Sequence, residues 1–132
     1  VHTFTPVFQG SRRTTELGVL HDADARLADA VLALLAADGG LKVRRNDPYG
    51  PEDGVTHTLK VQALGHGLPN VMFEIRNDLV ADAAQQRAFA ERLSRAVTAA
   101  QTLLQRWFGP GADIASRDAV TPGSADAQGA GA

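Results

Sequence analysis

Residues 71–76 read Val71-Met-Phe-Glu-Ile-Arg76, the clearest β-strand pattern in the chain. Successive side chains of a strand point to opposite faces. The alternation therefore divides this stretch into two faces, with Val71, Phe73 and Ile75 on one and Met72, Glu74 and Arg76 on the other. The pattern places one carboxylate inside an otherwise apolar strand.

A long helix is predicted after this strand. Apolar residues recur at helical spacing from Phe89 to about Phe108, as expected for one face of an α-helix. Asp82 and Gln85 have the separation of a capping box, with Asp in place of the usual Ser or Thr. Together they predict where the helix begins.

The first half of the chain predicts a strand, a helix and a second strand. Leu17-Gly-Val-Leu20 has strand character, and Asp22 or Asp24 can cap a following helix, because a short carboxylate satisfies free amides of the first turn. That helix has a regular apolar face and ends at glycine, which adopts the left-handed conformation at little cost. The helix residues concerned are Leu27, Val31, Leu34 and Leu35, followed by Gly39 and Gly40.

The segment between this helix and the strand at 71–76 mixes strand, loop and helix signals. Residues 41–43 read as a strand, 46–54 as a loop rich in Pro and Gly, and Thr56 to His66 as one short helix. Alternation of strand and helix is typical of a layered α/β fold. We therefore predict a mostly parallel sheet flanked by helices over residues 1–108.

Residues 109–132 differ in kind from the rest. Two thirds of them are Gly, Pro, Ala or Ser. Such a segment cannot bury enough apolar surface to offset its ordering entropy, so a disordered tail is predicted.

Composition excludes several classes of function. The 132 residues carry a formal charge of −2, which argues against nucleic-acid binding because phosphate recognition needs positive surface. The longest apolar run, Ala30 to Ala37, is too short to cross a membrane. No cysteine is present, so any metal must be held by His, Asp or Glu. With no signal-like segment either, we expect a cytoplasmic protein.

Two residues stand out as candidates for chemistry. Glu74 is costly to bury without a partner, and it lies near the carboxyl end of its strand, where ligands bind in open α/β sheets. A salt bridge with Arg76 is the competing explanation. His2 stands at the end of a short strand pattern, where an imidazole can bind zinc, although a lone histidine is commonly structural.

Six short stretches, in consecutive order, resemble one known family. They are His2-Thr-Phe-Thr-Pro-Val7, Leu17-Gly-Val-Leu20 with Asp22, Asn46-Asp-Pro-Tyr49, Asp53-Gly-Val-Thr56, Gly67-Leu-Pro69 and Phe73-Glu-Ile-Arg-Asn-Asp-Leu-Val80. The family is that of the N-formylglutamate amidohydrolases, whose members typically read His-Ser-Phe-Thr-Pro and Glu-Ile-Arg-Asn-Asp-Leu. The resemblance covers roughly residues 1–108.

This resemblance implies a phosphorylase/hydrolase-like α/β fold related to the zinc carboxypeptidases, that is, a zinc exopeptidase-like class with Zn²⁺ as cofactor. His2 would be the last zinc ligand, and Glu74 the general base. The implied reaction hydrolyses the amide bond of an N-acyl amino acid, most typically N-formyl-L-glutamate to formate and glutamate, within histidine catabolism. The residues implied to bind this small-molecule substrate are Arg13, Tyr49, Arg76 and Asn77.

The chain also departs from the family pattern. Family members carry further zinc ligands upstream of the His-Ser-Phe-Thr-Pro motif, whereas this sequence begins one residue before it. We therefore expect the C-terminal part of a larger catalytic domain, inactive in isolation. Two alternatives stay open: a carboxypeptidase or amidase on the same scaffold, and a non-catalytic binding module that lacks the upstream metal ligands. The oligomeric state is not predicted.

Overall fold

The computed structural model describes residues 1–108, so the predicted tail lies outside the described residues. The elements follow in chain order. They are β1 (His2–Phe4), β2 (Val7–Phe8), β3 (Ser11–Arg12), β4 (Leu17–Leu20), α1 (Arg26–Asp38), β5 (Val43–Arg45), α2 (His57–Gln62), β6 (Met72–Arg76) and α3 (Ala83–Phe108).

Four of the strands form one sheet in the order β1-β6-β4-β5. The pairs β1·β6 and β4·β5 are parallel, whereas β4·β6 is antiparallel. The prediction of an α/β fold with a mostly parallel sheet is therefore confirmed. The central pair departs from it, because β6 runs opposite to β4.

The two faces of the sheet are covered differently. On one face, Phe73 and Ile75 of β6 and Leu17 and Val19 of β4 pack against α1 and α3 in the main core. On the other face, Leu20 and Met72 pack with Leu59 of α2 in a smaller cluster, against which Tyr49 and Val55 also pack. The alternation predicted for residues 71–76 is confirmed.

Helix α1 is bounded much as predicted, but by a different cap. Its N-cap is Ala25, without a side-chain cap, and the Asp24 carboxylate accepts the Arg26 amide at 3.0 Å. Asp22 instead accepts a 2.6 Å bond from the Thr56 hydroxyl. Asp24 therefore satisfies a first-turn amide as predicted, although the N-cap position itself is Ala25. The helix ends at Gly39, whose φ of 71° favours glycine.

Two further boundaries differ from the sequence predictions, and one hairpin was not predicted. The second predicted strand lies two residues later, at Val43–Arg45. The predicted helix over 56–66 is broken into α2 and a 3₁₀ turn, Leu64–His66. A two-residue hairpin turn joins β2 to β3, with φ of 49° at Gln9 and 77° at Gly10, the positive values of a type I′ turn.

Helix α3 begins as its capping box predicts. The Gln85 amide donates to the Asp82 carboxylate at 2.8 Å, and the Asp82 amide donates back to the Gln85 side chain at 3.3 Å. The helix packs on the sheet through small and apolar residues, among them Leu93, Ala96 and Leu104. Across residues 1–108, none of the helices has the length and apolar character needed to span a bilayer.

Candidate active site

Three residues from adjacent strands form a row across the sheet. His2 of β1 lies beside Glu74 of β6, and Gly18 of β4 lies on the other side of Glu74. Glu74 is the third residue of the five-residue strand β6. The row thus lies in the middle of a sheet face, two residues before the carboxyl end of β6, and not at that end as predicted.

Glu74 is buried and, within residues 1–108, makes no ion pair. The residue is 5% exposed. Burial raises the pKa of the Glu74 carboxyl, while the nearby positive charges of His2, the Val1 amino group and Arg13 act in the opposite direction. A raised pKa makes the Glu74 carboxylate a stronger base than an ordinary glutamate, which favours a role in proton transfer.

Arg13 points its guanidinium into an aromatic cage, which we define as Phe4, Phe8 and Tyr49. The guanidinium carbon lies 5.5, 4.7 and 5.3 Å from the centres of these rings, respectively. It donates to the Tyr49 hydroxyl at 3.2 Å and to the Thr5 carbonyl at 3.3 Å.

The charge of this guanidinium is not neutralised by the described part of the chain. Within residues 1–108, Arg13 makes no ion pair, although its charge acts on Glu74. An oriented guanidinium without a carboxylate partner is suited to bind an anionic ligand group.

The alternative explanation of Glu74, a salt bridge with Arg76, is not formed. Arg76 is buried, and its guanidinium pairs with Asp78 at 2.8 Å and with Glu16 at 3.6 Å. It also donates to the Arg13 carbonyl at 3.3 Å. Arg76 therefore supports the main chain that carries Arg13.

Asn77 lies apart from the other candidates. It is exposed and lines a groove of about 570 Å³ together with Val1, Thr3 and Ile75. Ile75 belongs to the face that packs against α1 and α3. The structure thus brings together His2, Glu74, Arg13 and Tyr49, and leaves Asn77 outside that group.

The rings of Phe4 and Phe8 were not predicted as partners of Arg13. Both belong to the quoted stretch around residues 2–8, and their alternation with small polar residues was the available signal. Their contact with Arg13 depends on the β2–β3 hairpin, which folds residue 13 back over residues 4–8.

The residues of this site do not fit a complete catalytic zinc centre. In the part of the chain that the structure describes, no three His, Asp or Glu side chains are grouped closely enough to hold a metal ion. A catalytic zinc takes about three protein ligands. His2 can supply one of them, and the reaction steps below are assigned only to side chains of this chain.

The buried carboxylate predicts a stability gain on neutralisation. Because its folded pKa is raised, wild-type stability falls as pH increases from the ordinary glutamate range through the folded pKa. The glutamine in Glu74→Gln carries no charge, so the stability of this variant does not fall with pH in this way. At neutral pH we expect this variant to be more stable than wild type, with the gap closing in acid.

Denaturant unfolding of the 132-residue chain at several pH values measures this difference. The matched control is Glu91→Gln, since Glu91 lies exposed on α3 and its neutralisation should leave the pH dependence unchanged. A gap between Glu74→Gln and wild type that stays constant from acid to neutral pH would contradict the expectation.

Comparison with known proteins gives two findings. The family model described as N-formylglutamate amidohydrolase matches residues 1–81. The crystal structure of the gene product Atu2144 from Agrobacterium tumefaciens is 55% identical, with a TM-score of 0.75, over 78% of this chain and 40% of that one. The match thus spans two fifths of that protein. No functionally curated protein matches the sequence. Because the family model covers more than half of the residues, the chain belongs to the N-formylglutamate amidohydrolase family.

Proposed function

We propose that this chain carries the proton-transfer and carboxylate-binding residues of an amidohydrolase. The reaction is hydrolysis of the amide bond of an N-acyl amino acid, with N-formyl-L-glutamate as the leading substrate and formate and glutamate as products. The observation that carries the proposal is the buried, unpaired Glu74 carboxylate beside His2, with the positive charge of Arg13 acting on it. Family membership supports the same class of reaction.

Glu74 acts as general base in this proposal. It takes a proton from the attacking water, the water oxygen bonds to the formyl carbon, and the carbon–nitrogen bond then breaks. The same proton passes from Glu74 to the leaving amine nitrogen, so the carboxylate is regenerated. The raised pKa of Glu74 favours the first transfer, because a more basic carboxylate takes a proton from water more readily.

Arg13 holds the substrate carboxylate. Its planar guanidinium can donate two parallel hydrogen bonds to a carboxylate, and Tyr49 and the other rings of the aromatic cage keep it oriented. Arg76 acts through the Arg13 main chain, to whose carbonyl it donates. Asn77, exposed on the groove across the sheet, has the weakest geometric claim to substrate binding.

Zinc is part of the proposal as the group that activates water and polarises the carbonyl when bound. His2 would contribute one ligand, and ligands outside residues 1–108 are required for the rest. A non-catalytic binding module is the second candidate function, and the chimera described below distinguishes it from the hydrolase.

A chimera tests the proposal directly. Residues 1–108 of this chain replace the matched region of the Agrobacterium gene product, and formate release from N-formylglutamate is compared with hydrolysis of short peptides. We expect the chimera to release formate and to bind zinc stoichiometrically, and the 132-residue chain alone to do neither. Preferential hydrolysis of peptides would favour the carboxypeptidase alternative. Zinc binding without any hydrolysis, while the Agrobacterium protein is active, would favour the binding module.

A further inference from the structure

The loop formed by residues 46–50, here the Tyr49 loop, lies directly on strand β4 beside the candidate site. At Gly18, a Cβ atom would overlap the Asp47 carbonyl oxygen. Gly18 is the residue opposite Glu74 in the antiparallel pair. Only glycine therefore lets the loop approach the sheet next to the buried carboxylate.

Hydrogen bonds fix the Tyr49 loop at its first two residues. The Asn46 amide donates to the Val19 carbonyl at 3.1 Å, and the Asn46 side chain accepts the His21 amide at 2.9 Å. The Thr15 hydroxyl donates to the Asp47 carboxylate, and Thr15 is only 3% exposed. These contacts tie the loop to β4 and to the segment just before it.

The position of the loop is transmitted to Arg13 through Tyr49. The Tyr49 hydroxyl accepts a hydrogen bond from the Arg13 guanidinium at 3.2 Å, and its ring lies 5.3 Å from the guanidinium carbon. Thr15 follows Arg13 by two residues, so the same short segment carries the guanidinium and the anchor of the loop that holds it.

We propose that Thr15, Gly18 and Asp47 are positioning residues that set the separation between the Arg13 guanidinium and the Glu74 carboxylate. That separation selects the length of an acidic N-acyl amino acid if Arg13 binds the side-chain carboxylate, because this carboxylate and the scissile carbonyl must reach both groups at once. The inference rests on the proposed roles of Arg13 and Glu74. It adds the residues that tune the specificity of the site.

A pair of Thr15 variants tests the proposal. Thr15→Val keeps the shape but removes the hydroxyl, whereas Thr15→Ser keeps the hydroxyl. Tyr49 is the single tyrosine of the sequence, so its ring resonances are readily assigned in the 132-residue chain. We expect Thr15→Val to weaken the nuclear Overhauser contacts between the Tyr49 ring and Arg13, and to accelerate exchange of the Arg13 Nη–H protons about two- to tenfold, because an Nη nitrogen donates to Tyr49. Thr15→Ser should restore both.

The second readout is substrate length, measured in the chimera. Thr15→Val should raise KM more than it lowers kcat, and should reduce the preference for N-formylglutamate over N-formylaspartate about two- to tenfold, with Thr15→Ser resembling the parent. Unchanged Arg13 and Tyr49 signals in Thr15→Val would overturn the positioning role, whatever substrate preference the chimera shows. Changed signals with an unaltered preference in an active chimera would overturn the role in specificity.

Gly18→Ala provides an independent test of the same loop. Its methyl group should displace Asp47 and produce the Arg13 and Tyr49 signal changes expected for Thr15→Val. Wild-type Tyr49 signals in a folded Gly18→Ala chain would also contradict the proposal. If this variant does not fold, the Thr15 pair decides the question by itself.

Discussion

Glu74→Gln is expected to lower kcat for N-formylglutamate hydrolysis in the chimera by about 10²- to 10⁴-fold, the range of general acid–base catalysis. Glutamine preserves the volume and polarity of the side chain but cannot accept a proton from water. Because Glu74 makes no ion pair within residues 1–108, this substitution breaks no salt bridge in the described fold. The loss should therefore appear in turnover, with KM changed little.

The experiment measures initial rates of formate release together with metal content. Glu91→Gln, on the exposed side of α3, is the matched control and should retain parental turnover. Glu74→Gln should retain the parental metal content, because Glu74 is proposed as a base and not as a ligand. If Glu74→Gln retains more than a tenth of the parental kcat, or loses the metal, Glu74 is not the general base.

Local signals predicted those parts of the fold that depend on neighbouring residues. The capping box of Asp82 and Gln85 forms as its spacing predicts, because both partners lie within one helical turn. The two faces of residues 71–76 follow from the period of the strand alone. The direction of β6 relative to β4 could not be predicted from local signals, because the long connection over residues 46–71 can return the chain in either direction.

The candidate site likewise has parts that local sequence predicts and parts that depend on distant segments. Glu74 could be identified from sequence because a carboxylate inside an apolar strand is costly wherever that strand lies. Its expected partner, Arg76, is taken by Asp78 and Glu16. The approach of Glu16 depends on the segment before β4, which no spacing within residues 71–76 reveals. The aromatic cage around Arg13 likewise forms only once the hairpin with positive φ at Gln9 has folded.

Arg13→Ala is expected to raise KM for N-formylglutamate in the chimera by about 10- to 100-fold. Hydrogen bonds to charged groups contribute about 1.5–3 kcal/mol, and about 1.4 kcal/mol corresponds to a factor of ten. The effect should depend on substrate charge. The diamide of N-formylglutamate has no carboxylate. Arg13→Ala and the parent chimera should therefore hydrolyse this diamide with similar kcat/KM.

Arg12→Ala is the matched control, because Arg12 is the exposed neighbour of Arg13 in the chain and lies outside the aromatic cage. It removes the same charge from the surface and should leave both substrates unaffected. Equal losses for N-formylglutamate and its diamide in Arg13→Ala would mean that Arg13 supports the fold of the site and does not bind the carboxylate.

Arg13→Lys separates charge from geometry. A lysine ammonium keeps the positive charge, but it lacks the planar fork that pairs with a carboxylate through two parallel bonds and stacks on aromatic rings. It can also reach fewer of the present partners, since Arg13 bonds Tyr49 and Thr5 with two different nitrogens. We therefore expect Arg13→Lys to recover only part of the affinity lost in Arg13→Ala. Full recovery would show that the site selects its substrate by charge alone, and the aromatic cage would then have no part in orienting the guanidinium.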